Sequence, residues 1–207
     1  MKNLKGKFIV FDGPDGCGKS TQTKLLAERL EDLGIETASF RDPGTTVIGE
    51  KIRNILLNPE HTAMTTTAEF LLYMAARVQL WAENIKPALE QNKCVLLDRW
   101  LSSTCAYQGF AGGFGINKII KIADQVLEKP WPDVTVILDV DLKTAGPRLD
   151  ANLDRMEQKS SDYHQKVRQG FLKIAKLRKD FYVVDATKDI QTVHRTVLET
   201  IEKAGLK

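Results

Sequence analysis

The segment FDGPDGCGKST, residues 11–21, constrains the fold of this chain more than any other stretch. Residues 13–20 match the pattern G-x-x-x-x-G-K-[ST], the apolar run KFIVF precedes them, and helical periodicity begins at Lys19. Glycines let a backbone turn several N–H groups onto phosphate oxygens, and the following helix adds the positive end of its dipole. The sequence therefore predicts a strand, a phosphate-binding loop and a helix, in that order.

This loop predicts a site for a nucleoside triphosphate with Mg²⁺. In such loops the lysine reaches the β- and γ-phosphates and the hydroxyl residue binds the metal, so we predict that Lys19 is catalytic and that Ser20 is a metal ligand. Asp98 ends the apolar run CVLLD and is predicted as the second metal ligand, a Walker-B-like carboxylate. The residues predicted to hold the triphosphate are Gly13, Pro14, Asp15, Gly16, Cys17, Gly18, Lys19, Ser20 and Thr21.

Apolar runs and helical periodicity alternate along the chain, which predicts the α/β class with a parallel sheet covered on both faces. The predicted strands are 7–11, 37–40, 94–98, 134–140 and 181–186. The clearest predicted helices are 19–33, 65–90 and 190–204. A length of 207 residues fits a single domain, 1–207, in which the polar segment at about 150–160 is the candidate mobile lid.

Composition narrows the possible partners and compartment. Thirty basic and 27 acidic residues give a net charge of +3, too small to indicate binding to nucleic acid or to a membrane surface. The sequence holds no apolar run of about 18 residues, so no membrane span is expected. The three cysteines have no metal-type spacing. We expect a cytoplasmic protein with reduced thiols.

Three classes of nucleotide-binding protein remain: switch GTPases, motor-like ATPases and small-molecule kinases. A GTPase needs an N-K-x-D motif to recognise guanine, but the segment Asn117–Ile120 has the sequence NKII and begins a predicted helix. The chain is short for a motor. A kinase needs a second site for an anionic acceptor, which arginine side chains would form.

Five segments carry a resemblance that identifies this second site. They are FDGPDGCGKST, RDPGTTVIGEKIRNILL, AEFLLYMAARVQL, DRWLSSTCAYQG and LDRMEQ. Together they resemble the thymidylate kinase family of the bacterial type, which moves the γ-phosphoryl group of ATP onto dTMP. The resemblance implies a P-loop nucleoside monophosphate kinase fold, a five-stranded parallel sheet flanked by helices with a short lid. It also implies Mg²⁺ bound with ATP, and a homodimer.

The resemblance assigns roles on the acceptor side. Tyr73 and Arg77 are four residues apart and share a helix face; by resemblance the ring stacks on thymine and the arginine binds its O4. From spacing alone, both positions also fit a core residue beside a solvated charge. Arg53 and Arg99 would grip the acceptor phosphate, Arg99 being catalytic as well, although an exposed helix charge and a local salt bridge are the alternatives.

By the same resemblance, Asp15 lies near the 3′-hydroxyl of the deoxyribose. Thr104, Tyr107 and Gln108 match the segment that reads the base and contacts the sugar, where Tyr107 would crowd a 2′-hydroxyl. Some of these side chains must instead pack the helix.

The chain departs from the family pattern in the phosphate loop and lid, in the run RDPGTT and at two positions of the base pocket. Members of the family place an arginine in the phosphate loop or basic residues in the lid, whereas this loop has no arginine and the lid is short and acidic. We therefore predict that Arg155, helped by Arg148, supplies charge to the transition state, unless they pair with Asp150 or Asp154. The run RDPGTT also replaces R-E-P-G-G-T, so Thr45 stands where a glycine is usual.

These departures leave two alternatives open. The chain could phosphorylate another pyrimidine or deoxynucleoside monophosphate, since Tyr73 stands where the family usually has phenylalanine and Thr104 where it tends to have serine or asparagine. It could also bind nucleotide with weakened catalysis.

Overall fold

A computed structural model describes residues 4–149 and 152–205. It contains one five-stranded sheet with the order β2-β3-β1-β4-β5, in which all neighbouring strands are parallel. The strands are β1 Phe8–Asp12, β2 Thr37–Arg41, β3 Cys94–Asp98, β4 Val134–Asp139 and β5 Phe181–Asp185. Each predicted strand end lies within one residue of the observed one, and the predicted parallel sheet is confirmed.

Helices connect the strands and cover the sheet. They are α1 Lys19–Asp32, α2 Val47–Leu57, α3 Thr66–Leu80, α4 Lys86–Glu90, α5 Leu101–Thr104, α6 Ile116–Val126, α7 Leu142–Ala145, α8 Ser161–Leu177 and α9 Ile190–Lys203. The predicted long helix at 65–90 is α3 and α4 joined by the π-helical turn Trp81–Ile85, and a second π-helical segment, Cys105–Ala111, extends α5. Within the described ranges, no helix is both long and apolar enough to cross a membrane.

The core consists of two apolar clusters, one on each face of the sheet. Side chains of β1 alternate between them: Phe8 and Val10 belong to one cluster, and Ile9 and Phe11 to the other. Burial on both faces explains why the strands are almost continuously apolar. Strand order reverses at β1, which pairs with β3 on one side and β4 on the other, so a crevice opens at the carboxyl ends of these strands.

The predicted lid is described only in part, because residues 150 and 151 lie outside the described ranges. Beyond them, Asp154 accepts hydrogen bonds from the backbone N–H groups of Met156, at 2.7 Å, and Glu157, at 2.9 Å. The N–H of Arg155 donates to the carbonyl of Leu57, 3.0 Å away. This part of the lid is thus a tight turn attached to the C-terminal end of α2.

Candidate active site

The phosphate loop connects β1 to α1, as the sequence predicts. Gly13, Gly16 and Gly18 have φ values of 139°, 73° and 93°, which L side chains rarely adopt. A Cβ atom on Gly13 would also lie 2.4 Å from the carbonyl oxygen of Leu138. Glycine is therefore required at Gly13 for both conformation and space.

Lys19 lies across this loop and is 7% exposed. Its Nζ donates to the carbonyl oxygens of Pro14, at 2.8 Å, and Gly13, at 3.3 Å. The sulfur of Cys17 is 3.5 Å from the same ammonium group. Burial raises the pKa of the Cys17 thiol despite the nearby positive charges, so this side chain stays neutral at physiological pH. Lys19 is the cation that a bound phosphate would meet in the loop.

Ser20, the second residue of α1, meets Asp98 at the end of β3. The Ser20 hydroxyl donates to Asp98 Oδ2 at 2.7 Å. A hydroxyl and a carboxylate beside a phosphate loop are oxygen ligands that suit Mg²⁺. In the described part of the chain, no group of three or more His, Cys, Asp and Glu residues could hold a metal ion. Two oxygen ligands fit Mg²⁺, which usually takes its remaining ligands from phosphates and water.

Arg99, Asp15 and Tyr107 form one polar cluster. Arg99 has φ 70°, and its Nη1 donates to Gly13 O at 3.1 Å and to Ser103 Oγ at 2.9 Å. Its Nη2 pairs with Asp15, which also accepts from the Tyr107 hydroxyl at 2.7 Å. Burial acts to raise the pKa of Asp15, but the charges of Arg99 and Lys19 outweigh it and lower that pKa. The structure thus brings these three predicted residues together.

Asp12 supports this cluster and was missed in the sequence. It is fully buried, and its two carboxylate oxygens accept hydrogen bonds from the hydroxyls of Ser102 and Ser103, each at 2.6 Å. Its Oδ1 also lies 3.7 Å from Arg99 Nη1. Asp12 therefore fixes the start of α5 relative to the phosphate loop. The sequence feature that could have identified Asp12 was its position at the end of β1.

Arg77 is buried rather than solvated, with 1% exposure. Its Nε donates to Asp42 Oδ2 at 2.8 Å, its Nη2 donates to the carbonyl of Trp100 at 3.2 Å, and its guanidinium lies over the Trp100 ring. Burial, only partly offset by Arg77, raises the pKa of Asp42. Sequence analysis missed Asp42, although it directly follows β2 at the same edge of the sheet.

All eight predicted acceptor-side residues line one cleft beside the phosphate loop. They are Asp15, Arg53, Tyr73, Arg77, Arg99, Thr104, Tyr107 and Gln108. Arg53 is half-buried, and its Nη1 donates to the carbonyl of Pro43 at 3.0 Å. Burial raises the pKa of Tyr73, which keeps its hydroxyl protonated. Asp154, Met156 and Glu157 add a wall from the lid.

A second cleft also borders the phosphate loop. Its lining comprises the loop and first turn of α1, Arg148, and the segment that joins β5 to α9. The residues of that segment are Ala186, Lys188 and Asp189, and Ile190 and Val193 of α9 complete the lining. The phosphate loop thus contributes Asp15 to the first cleft and Gly16, Cys17, Gly18, Lys19 and Ser20 to the second.

The two lid arginines have different surroundings. Arg148 is exposed, and its Nη1 donates to the carbonyls of Ala186, at 3.2 Å, and Gly16, at 3.4 Å. Arg155 is 7% exposed; its Nε donates to Leu56 O at 2.6 Å and its Nη2 pairs with Glu69 Oε2 at 2.7 Å. Arg148 thus contacts the phosphate loop, whereas the contacts of Arg155 are with α2 and α3. Its partner is Glu69, a residue that sequence analysis missed.

Thr45 adopts the conformation that its glycine-like position requires, with φ 69°. Its hydroxyl accepts from the N–H of Arg41 at 3.0 Å and lies 3.1 Å from the Arg41 carbonyl oxygen. Its own N–H donates to Glu50 Oε1 at 2.7 Å. These bonds hold a threonine where the backbone favours glycine.

A family model described as thymidylate kinase matches residues 11–197, which spans the phosphate loop and both clefts. The chain belongs to the thymidylate kinase family. It is 41% identical over 205 residues to a protein named thymidylate kinase from a Thermoanaerobacter species, covering 97% of this chain and 99% of that one. It is 40% identical over 203 residues to a thymidylate kinase from Caldanaerobacter subterraneus subsp. tengcongensis, with 97% of each chain covered.

A solved structure is also similar. The crystal structure of thymidylate kinase from Ehrlichia chaffeensis matches with a TM-score of 0.78 and 34% identity, over 95% of this chain and 98% of that one. The P-loop nucleoside monophosphate kinase fold that the sequence predicts is thereby confirmed.

Proposed function

We propose that this chain transfers the γ-phosphoryl group of ATP to dTMP, giving dTDP and ADP. The observation that carries the proposal is the position of Arg99, which contacts the phosphate loop through Gly13 O and lines the acceptor cleft. A guanidinium between the two sites is able to contact the acceptor phosphate and the transferred group together. Membership of the family supports dTMP as the acceptor.

On the donor side, the loop from Gly13 to Thr21 holds the triphosphate of ATP. Backbone N–H groups of the loop and Lys19 would neutralise phosphate charge, and Ser20 and Asp98 would hold Mg²⁺. Bound Mg²⁺ would supply further neutralisation of the β- and γ-phosphates. The second cleft, beside Arg148, accommodates the nucleoside of ATP.

On the acceptor side, Arg53 and Arg99 bind the phosphate of dTMP. Tyr73 stacks on the thymine ring, and Arg77, oriented by Asp42, donates to its O4. Asp15 and Tyr107 lie at the deoxyribose, already joined by a hydrogen bond. Thr104 and Gln108 complete the wall at the base.

No general base is required, because a phosphate with a second pKa of about 6 is mostly a dianion at neutral pH. Catalysis then consists of alignment and charge neutralisation by Lys19, Arg99 and the lid arginines. Arg148 already contacts the loop carbonyl of Gly16. Arg155 is neutralised by Glu69, so it adds charge at the reaction centre only in a state in which that pair is broken.

We also propose a homodimer. Helices α2 and α3 pack together and expose apolar side chains at seven-residue spacing: Ile48 and Ile55 on α2, Leu71 and Val78 on α3. Such spacing places each pair on one helix face. A second copy of the chain would cover this surface. A cytoplasmic location agrees with the three buried cysteines, all free thiols.

The test is ADP release with Mg²⁺–ATP and each of dTMP, dUMP, dCMP and UMP as acceptor, with Lys19→Met as the inactive control. We expect dTMP to give the highest kcat/KM. A higher kcat/KM with another monophosphate would identify a different pyrimidine kinase. ATP binding without turnover on any acceptor would instead indicate a nucleotide-binding protein.

A further inference from the structure

Glu69 is a buried carboxylate that does not line the acceptor cleft but contacts a residue that does. It lies on α3, four residues before Tyr73, and is 3% exposed. Its Oε1 accepts a hydrogen bond from Gln108 Nε2 at 2.7 Å. Its Oε2 lies 2.7 Å from Arg155 Nη2. Each carboxylate oxygen therefore has a different partner.

The bond from Gln108 fixes which end of its amide faces the cleft. An ionised carboxylate only accepts hydrogen bonds, so Gln108 must turn its NH₂ group toward Glu69. Its carbonyl oxygen is then the group left for a ligand. Gln108 is 1% exposed and lines the acceptor cleft, and no donor in the described ranges bonds to that oxygen.

A second polar group at the same place is also unused. Thr104 precedes Gln108 by four residues and lines the same cleft. Its side chain is 1% exposed, and its buried Oγ1 has no hydrogen-bond partner in the part of the chain that the structure describes. Buried polar groups in folded proteins are nearly always paired, so this end of the cleft suits a ligand with polar edge atoms.

Gln108 and Arg77 then form a pattern that distinguishes pyrimidine bases. The carbonyl of Gln108 is an acceptor, and Arg77 has only donors. Thymine and uracil present an N3–H donor beside the O4 acceptor, whereas cytosine presents an N3 acceptor beside an amino donor. A cytosine ring would place acceptor against acceptor and donor against donor.

We infer that Glu69 is a positioning residue, which fixes the Gln108 amide with its carbonyl oxygen toward the base and so selects a ring with N3–H over cytosine. This inference rests on the proposed function. Arg155 is itself fixed, because its guanidinium donates to Leu56 O and its backbone N–H donates to Leu57 O. Its ion pair with Glu69 then holds Glu69 in place. The lid, α2 and α3 are thereby joined at the residue that orients Gln108.

Glu69→Gln tests the inference, because a glutamine at position 69 offers either a carbonyl or an NH₂ group to Gln108 and leaves both amide orientations possible. The affinities of dTMP and dCMP are measured by titration calorimetry, which does not depend on turnover. We expect the parent to prefer dTMP and Glu69→Gln to lose about tenfold or more of that preference. The exposed Glu60→Gln is the matched control and should bind as the parent does.

A structural role for Glu69 is separated from a positioning role by a double-mutant cycle. In a Gln108→Leu background, Glu69→Gln should change the dTMP-to-dCMP ratio no further. An unchanged ratio in Glu69→Gln alone, or an equal loss in both backgrounds, would overturn the inference. If the parent binds dTMP selectively but does not release ADP, the proposed function fails while the inference stands.

The inference can also be tested by NMR on the parent protein, so that the test does not depend on the folding of a variant. In ¹⁵N,¹³C-labelled protein, addition of dTMP should shift the side-chain carbonyl carbon of Gln108 and leave its NH₂ protons nearly unmoved. A large shift of the NH₂ protons instead would show that the amide donates to the base, which would overturn the inference.

Discussion

The Ser20 hydroxyl donates a hydrogen bond to the Asp98 carboxylate, 2.7 Å away, although 78 positions of sequence separate the two residues. Parallel pairing places Phe11 of β1 opposite Asp98 of β3, which brings the start of the phosphate loop to the end of the neighbouring strand. The pairing of the sheet thus brings the two predicted metal ligands together.

Asp98→Asn is expected to weaken the use of Mg²⁺. Loss of one carboxylate charge lowers affinity for a hard dication, so the Mg²⁺ concentration for half-maximal activity should rise and kcat should fall about 10²-fold. Activity is measured against Mg²⁺ concentration at saturating ATP and dTMP. Asp185→Asn, at the end of β5, is the matched control. An unchanged Mg²⁺ dependence in Asp98→Asn would contradict the assignment.

Arg99→Lys is expected to lower kcat/KM for dTMP by about 10² or more, because an ammonium group lacks the planar fork of a guanidinium. Two different nitrogens of Arg99 contact Gly13 and Asp15, and lysine has a single nitrogen in place of both. Steady-state kinetics with varied dTMP give the value. Arg195→Lys, on the exposed face of α9, should leave kcat/KM unchanged. Near-parental kinetics in Arg99→Lys would remove Arg99 from the mechanism.

Asp15→Asn is expected to lower stability at pH 7 by about 2 kcal/mol, because a charge-assisted hydrogen bond is lost. The folded-state pKa of Asp15 is below its ordinary 3.8. Its contribution is therefore fully present above pH 3.8 and is lost as pH falls through the lower folded-state value.

Urea unfolding of the parent and of Asp15→Asn from pH 7 to pH 3 checks this. The difference between their free energies of unfolding should stay constant down to about pH 5 and become smaller below the ordinary pKa of Asp15. Asp124→Asn, at an exposed position, serves as the control. If the difference in free energy of unfolding became larger in acid, the folded-state pKa of Asp15 would be raised instead.

Thr45→Gly is expected to be more stable than Thr45→Ala by about 1 kcal/mol. Both variants lack the hydroxyl that bonds to Arg41, so their difference reports the cost of a Cβ atom at φ 69°. Thermal unfolding of the two proteins measures it. Equal stabilities would mean that the backbone relaxes out of the left-handed region at no cost.

The strands and the phosphate loop were predictable because their signals are local. A continuously apolar run such as CVLLD indicates a strand buried on both faces of a sheet. The glycines of the loop mark backbone positions whose φ values other side chains rarely adopt. The residues proposed for the acceptor site were chosen only through motif resemblance, and the structure brings them together in one cleft. Spacing alone placed Tyr73 and Arg77 on one helix face without showing that a cleft lay beside it.

The buried acidic partners were not predicted, because a carboxylate in a sequence does not show which arginine it will meet. Asp42 and Arg77 are 35 residues apart, and Glu69 and Arg155 are brought together by packing of the lid on α2 and α3. Sequence reasoning considered Asp150 and Asp154 for Arg155 since they are near in the chain. Asp150 lies outside the described residues, and the partner in the structure is Glu69.

The most direct test of the central claim is the fate of the γ-phosphoryl group. The protein is incubated with Mg²⁺, dTMP and ATP labelled with ³²P at the γ-position, and the products are separated by chromatography, with Lys19→Met as the control. The account predicts label in the β-phosphate of dTDP, dependent on both dTMP and Lys19. Label that remains in ATP, or appears only as inorganic phosphate, would contradict it.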